Sequence, residues 1–251
     1  MKQLSFSADG MAHRPWSVPA SPWVMGMQWH NLAFLHWPVA AEQLRPFVPR
    51  GLTVDTFDGT AWLGVVPFLM RKVRVRGMPP LPGTGAFSEL NLRTYVSTEG
   101  RPGVWFFSLD AASRLAVRVA RRTFHVPYFD ARMHVQADDD GCGHVYRSRR
   151  TEGPPGEFEG RYRSTGKASH AAPGTLEHWL TERYCLYSAD RRGRIYRGEV
   201  HHPPWPLEHA ECEIESNTLA NQLKIDLPLR PALVHFARRL DVVAWCVRRI
   251  C

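Results

Sequence analysis

Between positions 87 and 96 the chain alternates with a period of two. Phe87, Glu89, Asn91, Arg93 and Tyr95 fall on one side, and Ser88, Leu90, Leu92, Thr94 and Val96 on the other. Successive side chains of a β-strand leave opposite faces, so this is a strand with one face suited to packing. The other face lines up an acid, an amide, a guanidinium and a phenol, spaced about 7 Å apart by twice the strand rise. Such a ladder lines either a ligand pocket or a solvated outer face, and the segment alone leaves both open.

Most other segments also read as short strands. Positions 27–37 form an apolar, aromatic run ended by Pro38. A short helical piece over 40–47 is stopped by Pro49 and Gly51, and strands 52–57 and 60–68 flank an Asp58–Gly59 hairpin turn. The proline- and glycine-rich stretch 77–85 is a loop, followed by the polar-faced strand and a strand over 103–109. Asp110 is expected to cap a helix running to Phe124, with Leu115, Ala116, Val119, Ala120 and Thr123 on one face and Arg114, Arg118, Arg121 and Arg122 on the other, which reads as a solvated face in preference to an anion site. Pro127 then releases the chain into a strand over 128–136, and 138–141 is a turn. Strands surround Val145 and Phe158, Thr175 caps a helix over 176–183, a hairpin joins 184–188 to 194–200, and 211–216 is a further strand. Positions 233–247 fit strand or helix. Residues 1–26 read as a loosely docked arm and 27–251 as a single domain. So many short strands with two or three helices predict a mainly β (α+β) fold, and closure into a barrel removes its edges.

Composition narrows the setting. No apolar run of about 18 residues appears, and the first twenty residues hold no continuous apolar segment, so a soluble, cytoplasmic protein is expected. Five scattered cysteines without a Cys-x-x-Cys pair argue against disulfide frameworks and zinc ribbons. The formal charge of +8 comes from arginines interspersed with acids; only Lys2, Lys72, Lys167 and Lys224 are lysines. Without a nucleic-acid motif the charge points to small anionic partners, with no nucleic acid and no membrane.

Five segments together, His36-Trp37-Pro38, residues 57–62, 89–95 and 107–111, and Thr181 to Tyr187, resemble a bacterial family of unknown function, the YqjF-like proteins. Residues 200–207 and 235–241 extend the likeness to the C-terminus. That family is similar to acetoacetate decarboxylase, which implies a cone-shaped antiparallel β-barrel around an internal cavity. In the decarboxylase pattern a strand glutamate is followed, after a helix, by Gly-Arg-Glu-x-x-Gly-x-Pro-Lys-Lys, with a lysine that forms a Schiff base. Residues 120–129 match in outline: Arg121 and Pro127 keep their places, but Ala120, Arg122 and His125 replace glycine, glutamate and glycine, and Tyr128-Phe129 replaces the lysine pair. An imine demands a primary amine, so the decarboxylase reaction is not expected.

What the resemblance leaves is the cavity and Glu89 in the place of the strand glutamate, the expected catalytic residue. Asn91, Arg93, Tyr95, Tyr128 and His125 are the expected substrate-binding residues. Arg93 is positioned either to neutralise Glu89 or to hold a substrate carboxylate in a forked contact, and burial and Arg93 would pull the Glu89 pKa in opposite directions. Two readings follow: an enzyme acting on an organic acid or carbonyl compound by acid/base chemistry, or a non-catalytic binder or sensor of the same fold. No cofactor or metal is expected. Glu199, His201, His202, Glu208 and His209 offer ligand types, but adjacent strand residues face apart and Pro203-Pro204 bars a helical His pair. His36 reads as a core histidine or a functional one, and a homo-oligomer stays open.

Overall fold

The computed structural model describes residues 12–78, 85–139 and 141–250. Most of the expected 77–85 loop, the first residues of the arm and Asp140 of the 138–141 turn lie outside them. The chain runs β1 (Met25–Val39), α1 (Ala41–Leu44), β2 (Thr53–Val54), β3 (Ala61–Val75), β4 (Ala86–Thr98), β5 (Arg101–Ala111), α2 (Arg114–Phe124) and β6 (Tyr128–Ala137). It continues through β7 (Gly143–Arg150), β8 (Glu157–Ser164), α3 (Leu176–Thr181), β9 (Cys185–Ala189), β10 (Ile195–His201), β11 (Glu208–Asn217), β12 (Leu233–Ala244) and β13 (Arg248–Arg249). Local chemistry starts several of these. Glu99 and Gly100, with φ of 51° and 69°, give the β4–β5 hairpin the mirror-image turn that matches strand twist. Thr175 caps α3, its hydroxyl accepting from the His178 N–H.

Pairing β4 to β5 closes the strands into a ring in the order β5–β6–β7–β8–β11–β12–β1–β3–β4. Contacts of β9 with β5 and of β10 with β12 close a second ring through β9 and β10 that shares β5, β12, β1, β3 and β4 with the first. Closure gives most strands a partner on both sides. Pairings are antiparallel except β5–β6 and β5–β9. The β5–α2–β6 connection is a crossover through a helix, which returns the chain parallel to its start.

The shared strands are buried on both faces. Leu63, Val65, Leu90 and Leu92 join Tyr146, Phe158, Tyr162 and Phe236 in the apolar core of the first ring. Residues of the opposite parity face the second ring, where Tyr95 and Trp62 pack on Leu180 of α3, and Phe34, Val66 and Phe68 pack with Trp205. The polar ladder of β4 therefore looks into the molecule.

Several expectations are corrected. Asp110 does not cap the helix: it continues β5 opposite Leu90, and its buried carboxylate meets Arg150 at 2.8 Å. Because the strand runs on to Ala111, α2 starts later and rotates. Val117 is its fully buried residue, and Leu115, expected inside, is 54% exposed. Across Asp58–Gly59 only a Phe57–Thr60 bridge forms, and β2 pairs with Ser97 and Val96 of β4 instead of with β3. The ambiguous C-terminal segment is the strand β12, flanked by β1 and β11. The described part of the N-terminal arm is firmly held: the Arg14 guanidinium is buried against Glu199 at 3.1 Å, and the Trp16 indole donates to the same carboxylate at 2.8 Å.

Candidate functional site

α2 ends where His125 turns left-handed, at φ 53°, and Pro127 can no longer extend a helix. The Pro127 carbonyl accepts the Leu109 N–H at 2.9 Å, which seats Tyr128 beside Leu109. Leu109 in turn lies opposite Asn91, two pairs along from Glu89 and Ala111 and so on the same face. This register carries the Tyr128 phenol to Glu89, where it donates to Oε2 at 2.8 Å. Phe129, next in the strand, goes to the other face and stacks under the Arg150 guanidinium at 4.4 Å.

Glu89 is 2% exposed. Burial raises its pKa to about 8, against the Tyr128 hydrogen bond, which lowers it; the Asp110 carboxyl raises it further. Burial also pushes Tyr128 well above the usual phenol value. Glu89 is therefore a neutral acid at pH 7. Asp110, itself raised to about 6 by burial against the pull of Arg150, is a nearby second acid. The strand pattern of Phe107-Ser108-Leu109-Asp110 would have placed Asp110 here had it been extended by one residue.

Arg93 does not neutralise Glu89, because four strand residues separate them by about 13 Å. Its guanidinium lies over Phe34 at 5.2 Å and reaches the Tyr95 hydroxyl at 3.4 Å. That hydroxyl also bonds His36 Nε2 at 2.6 Å, and burial then Arg93 hold the His36 pKa well below its usual value. The ladder thus divides into two groups, Glu89 with Tyr128 and Arg93 with Tyr95 and His36. Asn91 stands between them in sequence, 4% exposed, and its Oδ1 has no hydrogen-bond partner among the described residues; nor have Arg93 Nε and His36 Nδ1. Unpartnered buried polar atoms of the same kind occur elsewhere in the fold, at Trp29, His144 and Asn217 for example.

Tyr128 and His125 line a cleft of about 1010 Å³ between α2 and the β9–β10 turn. Six arginines surround it: Arg118, Arg121 and Arg122 from α2, and Arg191, Arg192 and Arg194 from the turn. The helical arginines are exposed, as a solvated face requires, and Arg118, Arg121 and Arg122 among them also border this concave surface. The described lysines, Lys72, Lys167 and Lys224, are all exposed. Glu199 is taken up by Arg14, Arg101 and Arg197, and Glu208 by Arg238. Among the described residues no group of three His, Cys, Asp or Glu is arranged to hold a metal ion, and no helix is long and apolar enough to cross a membrane.

The model of the DUF2071 family, described as an uncharacterized conserved protein, matches residues 26–241. An uncharacterized protein, YqjF, of Bacillus subtilis is 43% identical over 93% of this chain and 95% of its own. The enduracididine biosynthesis enzyme MppR, complexed with pyruvate, superposes with a TM-score of 0.62 at 12% identity over 93% of this chain and 92% of its own. Acetoacetate decarboxylase from Legionella pneumophila gives a TM-score of 0.60 at 11% identity, over 98% of both chains. The fold is therefore acetoacetate decarboxylase-like.

Proposed function

The chain belongs to the DUF2071 family of uncharacterized conserved proteins, and on that premise we propose that it is an enzyme acting on an organic acid or carbonyl compound by proton transfer through Glu89, without an imine. The observation that carries this is the buried Glu89–Tyr128 pair, whose tyrosine lines the cleft and whose carboxyl has its pKa raised to about 8 by burial. A general acid or base works best when its pKa lies near the working pH. The pyruvate bound by the structural neighbour supports a 2-oxo acid as the reacting part.

Ionised Glu89 takes a proton from the carbon next to the carbonyl, and the phenol of Tyr128, freed from that carboxylate, keeps its own proton and donates a hydrogen bond to the enolate oxygen. One proton moves, from carbon to Glu89, and no oxidant is needed. Arg93, His36 and Asn91, with their spare polar atoms, suit a carboxylate or carbonyl further along β4.

The test is deuterium exchange at the methyl of pyruvate and at the central carbon of acetoacetate, followed by NMR in heavy water. Exchange is expected to rise with pH through about 8, to fall by about a hundredfold or more in Glu89→Gln, and to survive borohydride without a mass increase on the protein. Exchange unchanged in Glu89→Gln sinks the reading; binding without exchange in the native protein leaves the sensor.

A further inference from the structure

We propose that the substrate carries a phosphate or pyrophosphate group, held by the arginine-lined cleft while its organic-acid end reaches Tyr128 and Glu89. This rests on the proposed function for the reactive end only. The cleft, at about 1010 Å³, is at the upper limit of sites that bury drug-sized ligands, far beyond the needs of a three-carbon acid. One monocarboxylate needs one guanidinium fork. Here six guanidiniums from two separate chain segments face a single lining carboxylate, Asp190, which is already bound to Arg194 at 2.5 Å. Arg121 is taken up by Glu152 and by the Tyr128 carbonyl, at 2.6 Å for the latter. Arg118, Arg122, Arg191 and Arg192 form no ion pair among the described residues.

Four unpaired guanidiniums around a concavity concentrate positive potential, and their planar forks match phosphate oxygens bidentately. The floor adds neutral donors. Ser188 and Trp105 also line the cleft, and the hydroxyl of the one and the indole N–H of the other are buried without a partner among the described residues. Tyr128 belongs to the same lining and its hydroxyl donates to Glu89 behind it, so the phenol links the cleft to the buried carboxyl.

The test is calorimetric titration of the full chain with inorganic pyrophosphate, inorganic phosphate and pyruvate. Pyrophosphate is expected to bind at least about tenfold tighter than pyruvate, and several-fold more weakly when salt rises from about 50 to 200 mM. Arg122→Gln combined with Arg192→Gln should weaken pyrophosphate by about thirtyfold or more. The same charge loss made at exposed Arg161 and Arg230 should leave it within about twofold. Pyrophosphate binding that is absent, or equally sensitive to both double variants, overturns the proposal. So does a single-stranded oligonucleotide that competes at lower concentration than pyrophosphate. Glu89→Gln separates the two readings: retained pyrophosphate binding with unchanged proton exchange refutes the acid/base function alone, and lost exchange without any pyrophosphate binding refutes the phosphate handle alone.

Discussion

At the residue scale the molecule is governed by a carboxyl kept neutral by its surroundings. Removing Glu89 from water favours its protonated form, and the one hydrogen bond from Tyr128 does not offset that. Tyr128→Phe deletes the opposing influence, so the carboxyl should titrate still higher, by about half a pH unit to one for a hydrogen bond of ordinary strength. Carbon-13 NMR of labelled glutamate, or the pH midpoint of proton exchange, reads this; a midpoint that falls instead would mean the phenol does not bond the carboxylate. Much of this site was legible in the β4 alternation, which placed Glu89, Asn91, Arg93 and Tyr95 on one face. The partition was not legible. Whether Arg93 or burial governs Glu89 depends on which side chains from β1, β5 and β6 meet it, and only the closed rings decide that.

At the element scale, turns and caps carry local information, and pairing partners do not. Glu99–Gly100 and Thr175 announce the β4–β5 hairpin and α3 because their reasons lie within a few residues. The partner of β2, the rotation of α2 and the strand character of β12 depend on segments some 30 to 200 residues away, and no local pattern encodes them. The β5–β9 contact shows how tight such non-local joints are. A Cβ at Gly103 would lie 2.7 Å from the Cys185 carbonyl oxygen and 2.8 Å from the Tyr187 ring. Backbone cannot step aside cheaply, so Gly103→Ala should cost about 2 kcal/mol or more and loosen the second ring. At Gly198 the added methyl meets only side chains, at 3.1 Å or beyond, so Gly198→Ala should cost clearly less. Equal melting temperatures for the two variants would contradict the close approach.

On the scale of the whole molecule, buried titratable groups shape stability against pH from both sides. His36, His201, His202 and His235 have lowered pKa values, His201 to about 4, chiefly through burial. Below their ordinary value near 6.5 the unfolded chain binds protons that the folded one refuses, so stability is lost as pH falls. Glu89 and Asp110 have raised values, about 8 and about 6, again chiefly through burial. Above their ordinary values the folded chain holds protons that the unfolded one has released, so each removes stability as pH rises, Asp110 up to about 6 and Glu89 up to about 8. The histidines outnumber the acids on the acidic side, Glu89 slopes from there to about 8, and above the ordinary thiol value the buried Cys185 and half-buried Cys212, raised to about 12 and about 11, remove stability in turn. The melting temperature should therefore peak near pH 6 to 6.5, drop toward pH 8 through Glu89 and fall again above about 9, where the unfolded thiols ionise. Glu89→Gln keeps an acceptor for Tyr128 but cannot ionise, so it should abolish the decline from pH 6.5 to 8 and gain on the native protein across that range by an amount on the order of 2 kcal/mol. A Glu89→Gln curve parallel to the native one between pH 6.5 and 8 would show that this carboxyl already ionises at low pH, and the proton transfer assigned to it would lose its basis.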